Sequence, residues 1–161
     1  MQLKTNVQAE DGGNHIAITR VFDLPVELLF LAHEDPEIFA QWMSNPYAKA
    51  RVIKYEARKH GGFQLESVNS DGQIVFSSNG VFHDFVRNEK ITRTFEMENT
   101  PFPPQLEFLT FEKLDSNTSK LTAFIVFKSI EHRNELLKMP FAQGISMAHD
   151  RLQDVMTERG R

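Results

Sequence analysis

Any chemistry performed by this chain has to come from its histidines, arginines, carboxylates and hydroxyls, because it contains no cysteine. That absence removes disulfides, thiolate nucleophiles and cysteine-based zinc sites. His83-Asp84 invites an acid–base reading. Adjacent strand residues point to opposite faces, so adjacency alone makes no hydrogen-bonded dyad. His83 shares the parity of Val81 and Phe85, which leaves it either a polar group facing a pocket or a histidine at a sheet edge. Arg93 alternates in step with Ile91 and Phe95, and Arg20 with Ile16 and Ile18. An inward arginine can hold an acidic group of a ligand in its fork of donors. It can equally close a structural ion pair, with Glu66 or Glu107 as the partner. Some partner is required, since a buried guanidinium without one is costly.

Spacing disposes of most other chemistries. His132 is remote in sequence from His149-Asp150, and there is no HExxH, so no metal site is expected. GxGxxG, Walker and GxSxG motifs are absent, and Ser44, Ser67, Ser77 and Ser78 have no base at a helpful spacing. No catalytic residue and no cofactor is nominated. Arg51, Lys54, Arg58 and Lys59 form the densest basic stretch, but Glu56 interrupts it and no aromatic ladder accompanies it. With a net charge of -4, nucleic acid is not an expected partner. Met1 to Asn14 has no apolar signal core and no run approaches a membrane span, so a cytoplasmic protein without membrane insertion is expected.

The elements that position these residues follow from periodicity. Phe141, Ile145, Ala148, Leu152 and Val155 recur at helical spacing, with Met139 and Met156 at the ends, while Asp150, Arg151, Gln153 and Asp154 face away. Upstream the chain alternates in twos. Residues 1–14 are polar, contain Gly12-Gly13 and are expected to be a flexible lead-in; residues 15–161 form a single domain. His15 to Phe22 is the first strand. Two short helices follow, the first capped by Asp23 and the second by Asp35 with Pro36 at its first position. Strands are expected over Ala48–Ala57, Phe63–Val68, Gln73–Phe85, Lys90–Met97, Gln105–Leu114 and Lys120–Lys128. Gly80 marks a bulge or a close approach of backbone, and NTPFPP (Asn99 to Pro104) must be a loop, a candidate lid or contact patch with Phe102 at its tip. On the final helix, Gly144 either makes room for a ligand or lets the helix lie close to the sheet.

Four segments then carry a resemblance: RVFDLPVELLFLAHEDPEIFAQW (Arg20 to Trp42), GVFHDFVRNEKITRTFEME (Gly80 to Glu98), LTAFIVF (Leu121 to Phe127) and FAQGISMAHDRLQDVM (Phe141 to Met156). They are similar to free-standing homologues of the C-terminal domain of the Hsp90 ATPase activator, within the START-like or Bet v 1-like (SRPBCC) superfamily. The resemblance implies a helix-grip fold and an Hsp90-type chaperone as a conceivable partner. Relatives usually carry tryptophan directly after the glycine of the final helix, where this chain has Ile145, which alters the shape of a cavity there.

The expected architecture is α+β: a curved antiparallel sheet, two short helices after its first strand, and a long C-terminal helix over its concave face. Such an incomplete barrel leaves space between its layers for a small molecule. The 14 phenylalanines either pack that space or line it. The first functional reading is non-catalytic binding of a small apolar or amphipathic molecule. Phe82, His83, Arg93, Phe95, Phe108, Phe124, Phe141, Ile145 and Ala148 are nominated to line the pocket. The alternatives are a protein-interaction module, a homodimer among them, and a cyclase- or hydrolase-like enzyme with two titratable groups converging in the cavity.

Overall fold

The computed structural model describes residues 3–159; residues 1–2 and 160–161, the ends of the expected lead-in and domain, lie outside them. In chain order the elements are β1 (Asn6–Gln8), β2 (His15–Phe22), α1 (Val26–Glu34), α2 (Pro36–Met43), β3 (Lys49–Tyr55) and β4 (Gly62–Val68). There follow β5 (Ile74–Val86), β6 (Lys90–Met97), β7 (Gln105–Lys113), β8 (Ser119–Val126), α3 (Ile130–Lys138) and α4 (Phe141–Arg159). One antiparallel sheet holds all the strands in the order β1-β2-β8-β7-β6-β5-β4-β3. This is the α+β helix-grip arrangement, with the long last helix on the concave side.

Alternation decides which side is concave. In β2, Ile16, Ile18, Arg20 and Phe22 are buried while the residues between them are half-buried. The pairing Ile18↔Ala123↔Leu109 carries the same face across β8 and β7, where Leu121, Ala123, Ile125, Leu109 and Phe111 are buried too. Fully burying a large apolar side chain contributes roughly 1.5–3 kcal/mol, so this face is where the sheet gains most of its stability. Rings extend it: Phe82 is packed among Tyr55, Phe63 and Phe85, and Phe30 meets Phe85 and Phe111 edge-on.

Several local expectations are corrected. The polar N-terminal stretch contributes an edge strand, pairing Asn6 with Thr19 and Gln8 with Ala17. Asp23 does not cap α1, which starts after Pro25 with no side-chain cap. Its backbone N–H is instead held by Gln153 of α4 at 2.9 Å. Asp35 does cap α2, accepting from the amides of Glu37 and Ile38. Glu131 to Lys138 belongs to a separate helix, capped by Ser129. Gly80 marks close approach: a Cβ there would lie 2.0 Å from the Thr94 carbonyl oxygen and 2.5 Å from the Phe63 ring.

The final helix is rotated relative to the expected stripe. Its buried residues are Ala148, His149, Leu152 and Met156, while Phe141, Ile145 and Val155 are half-buried and Met139, before the helix, is exposed. Two residues expected to face solvent tie it down: Asp150 pairs with Arg20, and Arg151 Nε donates to the Trp42 carbonyl at 3.0 Å. The backbone neighbours of α4 are chiefly α1, α2 and α3. Braced by helices, it stands off the strands, and the gap is the site.

Candidate functional site

Between the concave face and α4 lies a chamber of about 170 Å³. A cavity of about 150 Å³ accommodates benzene, so one ring fits. Its floor is the inward row of the sheet (Ile18, Leu121, Ala123, Ile125, Leu109), and its roof is Phe141, Ile145 and His149 of α4. Met43, Phe95, Gln105, Phe141 and Ile145 also border a more open space of about 310 Å³ that continues toward α3 and includes Gly144 and Ala148. Adjacent along α4 and sharing these five residues, the two spaces make up the passage between sheet and helix. A Cβ built on Gly144 meets nothing within 4 Å. Close packing therefore does not explain that glycine, which borders the outer space.

Polar groups in the inner chamber are few and converge. Arg93 Nε donates to Glu107 Oε1 at 2.8 Å, and Gln105 Nε2 donates to Glu107 Oε2 at 2.7 Å. The expected ion pair for Arg93 is thus present, with Glu107, and both carboxylate oxygens are engaged. The guanidinium lies 5.8 Å from the centre of the Phe63 ring, and its two terminal nitrogens have no hydrogen-bond partner among the described residues. These are spare donors beside an apolar chamber. Arg93 and Glu107 side chains are only 14% and 9% exposed, so a ligand acceptor reaching them would meet little competition from water.

Two histidines complete the lining. His33 is buried at the end of α1, and burial pushes its pKa down to about 3. His149 is held near 4, by burial first and then by the neighbouring Arg20 cation. Both are neutral at physiological pH. The Tyr55 hydroxyl donates to the His33 carbonyl, and burial raises its pKa. Arg20 finds its partner in Asp150 at 2.7 Å, neither of the two acids expected from sequence, and it also donates to Thr5 Oγ1 at 3.3 Å. Glu66 is taken by Arg51 at 2.6 Å.

Of the nominated residues, Arg93, Phe95, Phe141 and Ile145 border the inner chamber and Ala148 the outer one. Four lie elsewhere. Phe82 faces inward but is sealed beneath its aromatic neighbours and does not reach the cavity. His83 is exposed on the same side as Val81, opposite buried Phe82, and the register slip between Phe82 and Asp84 then brings Phe85 to the Phe82 side. Phe108 and Phe124 face each other on the outer side of the sheet, each 39% exposed, with His15 stacked on Phe124. Sequence reasoning named Glu107 only as an arginine's partner and missed Gln105, although both share the inward parity of Leu109; it also missed His33, which stands beside the charged Glu34-Asp35 pair at the end of α1. The Asn99–Pro104 loop is a loop as expected, with Phe102 folded onto the His132 ring at 5.3 Å. Among the described residues no three metal-ligating side chains come together.

The fold recurs in solved structures: protein Ms6760 from Mycobacterium smegmatis has a TM-score of 0.84 at 20% identity, over 94% of this chain and 96% of that one. A Rhodobacter sphaeroides protein has a TM-score of 0.86 at 13% identity, over 96% and 99%. An Arthrobacter aurescens protein has 0.83 at 18%, over 95% and 91%. At such identities these likenesses speak to fold alone. No curated protein matches the chain. The family model for Activator of Hsp90 ATPase homolog 1-like protein matches residues 23–157, from the turn after β2 almost to the end of α4. With most of its length matched, the chain belongs to the Activator of Hsp90 ATPase homolog 1-like family.

Proposed function

We propose that this protein binds a small apolar or amphipathic molecule in the passage between sheet and α4, without transforming it. The observation that carries the reading is the pairing of an apolar chamber large enough for a ring with an arginine whose terminal donors are unused. Burial of the ligand supplies affinity, and an acceptor oxygen on Arg93 supplies orientation. The chamber's charges are already balanced by the Arg93–Glu107 pair, and its histidines are neutral, which disfavours a strongly charged ligand. Acid–base catalysis near neutral pH finds no support, because the two histidines that border the chamber titrate far below it.

The test is native mass spectrometry on protein purified without denaturation, followed by organic extraction of whatever is bound. A stoichiometric apolar molecule supports the reading. No bound molecule, and no thermal shift with a panel of lipids and aromatics, overturns it. A second reading rests on the outer face, where Phe108 and Phe124 are exposed side by side: a protein surface covers them, whether a second copy or a chaperone of Hsp90 type. Phe108→Ser with Phe124→Ser would then abolish the association while leaving small-molecule binding intact.

A further inference from the structure

The two chamber histidines are not equivalent, and their hydrogen bonds set them in opposite tautomers. His33 Nδ1 lies 3.0 Å from the Leu29 carbonyl oxygen. A carbonyl only accepts, so Nδ1 carries the proton of the neutral ring and Nε2 is left as a bare acceptor. His149 Nδ1 lies 2.9 Å from Thr5 Oγ1. That hydroxyl already accepts from Arg20 Nη1, and the one acceptor available to its own proton among the described residues is His149 Nδ1. The proton of the His149 ring is thereby displaced to Nε2, making it a donor.

Both rings border the same chamber, and each is at least 97% buried. Neither Nε2 has a hydrogen-bond partner among the described residues. Neither belongs to the sealed, orphaned side-chain atoms, which are Arg20 Nε and the two ring nitrogens of His132. Each Nε2 therefore keeps accessible surface, and both rings border the chamber.

We infer that the chamber recognises an uncharged, hydroxyl-bearing apolar ligand, one whose hydroxyl group answers a donor at His149 and an acceptor at His33. The inference rests on the small-molecule reading above and narrows it. A hydroxyl is the smallest group that both gives and takes a hydrogen bond. An anion would satisfy His149 and repel the bare lone pair of His33; a cation would do the reverse and lie beside Arg93. The inner chamber takes one ring, and the outer space takes a tail, so a phenol with a short alkyl chain is the matching probe. Thr5 is the positioning residue: it does not border the chamber, and of its two partners, Arg20 and His149, only His149 does.

The experiment has two arms. Long-range proton–nitrogen correlation spectra of the ligand-free protein read the tautomers directly, and the proton is expected on Nδ1 of His33 and on Nε2 of His149. Titration calorimetry then compares 4-butylphenol with its methyl ether, which keeps the shape and loses the donor. The phenol is expected to bind about fivefold to a hundredfold more tightly, since the ether leaves the buried His33 acceptor unpaired. Thr5→Val is expected to release the His149 tautomer and shrink that preference. Phenol and ether binding equally would overturn this inference and leave the cavity reading standing, as would a proton found on Nδ1 of His149. Neither molecule binding would overturn both.

Discussion

Ala123 offers the most direct probe of whether the chamber is empty space. It sits mid-strand in β8 between Ile18 and Leu109, buried, on the floor of the 170 Å³ chamber. Ala123→Leu adds an isopropyl group, smaller than the ring such a volume holds. Burying three further carbons is worth about 2.4 kcal/mol at about 0.8 each, and freezing the leucine rotamers costs about 0.5–1. The ligand-free variant is therefore expected to be more stable by about 1.5 kcal/mol. In a chain of this size that corresponds to a melting point higher by about 3–6 °C. The same group occupies ligand space, so 4-butylphenol affinity should fall by tenfold or more. Urea unfolding gives the stability and calorimetry the affinity. Destabilisation by 1–3 kcal/mol, the usual cost of overpacking, would show that the floor is already filled and would refute the account of the cavity.

Four further outcomes follow from the structure. Gly80→Ala forces a Cβ against the Thr94 carbonyl and the buried Phe63 ring, and should cost about 2–3 kcal/mol or more in urea unfolding. Gly144→Ala meets no neighbour and removes a helix penalty, so it should stabilise by about 0.5–1 kcal/mol, read as a higher melting point. Asp150→Ala leaves the buried Arg20 guanidinium with only Thr5; because Asp150 is 60% exposed and water can reach the gap, the loss should be about 1–2 kcal/mol, less than for a fully buried pair. His33 and His149 have folded-state pKa values near 3 and 4, below the 6.5 of the unfolded chain, so the unfolded state binds more protons as the pH falls. Their contribution is complete above pH 6.5 and drains away toward pH 4 and then 3, by up to about 1.4 kcal/mol per pH unit for each. His149→Phe should flatten the stability–pH profile over that window.

Much of this fold is legible in the sequence because its signals are local. The eight-residue alternation of His15–Phe22 names β2 correctly, and Asp35-Pro36 names the start of α2 by the chemistry of capping. What escaped depends on contacts between distant segments. Thr5 is buried because His149 and Arg20 need it, not because its own neighbours are apolar. The stripe of α4 held at Ala148, Leu152 and Met156 but missed His149, because a histidine does not look apolar until its partner is seen.

The site shows the same division. Arg93 and Phe95 border the chamber, and both share the parity of buried Ile91 on β6. His83 was nominated beside Phe82 although adjacent strand residues face opposite ways, and it is Phe82 that turns inward. Phe108 and Phe124 fall on the outer side because β7 and β8 carry apolar residues on both faces, and only the pairing of Ile16 and Ile18 with Ile125 and Ala123 shows which face turns inward. Gly80 and Gly144 look alike in sequence and do opposite things: the first admits a carbonyl and a ring, the second leaves space unfilled.

The central claim is that the passage under α4 is a binding site. Methyl-labelled protein titrated with 4-butylphenol tests it most directly. The account predicts saturable shifts in the methyl signals of Ile18, Leu121, Ala123, Ile125 and Ile145, the residues that border the chamber. Shifts centred instead on Leu106 and Val126, beside Phe108 and Phe124 on the outer face, or no shifts up to the solubility limit, would contradict it.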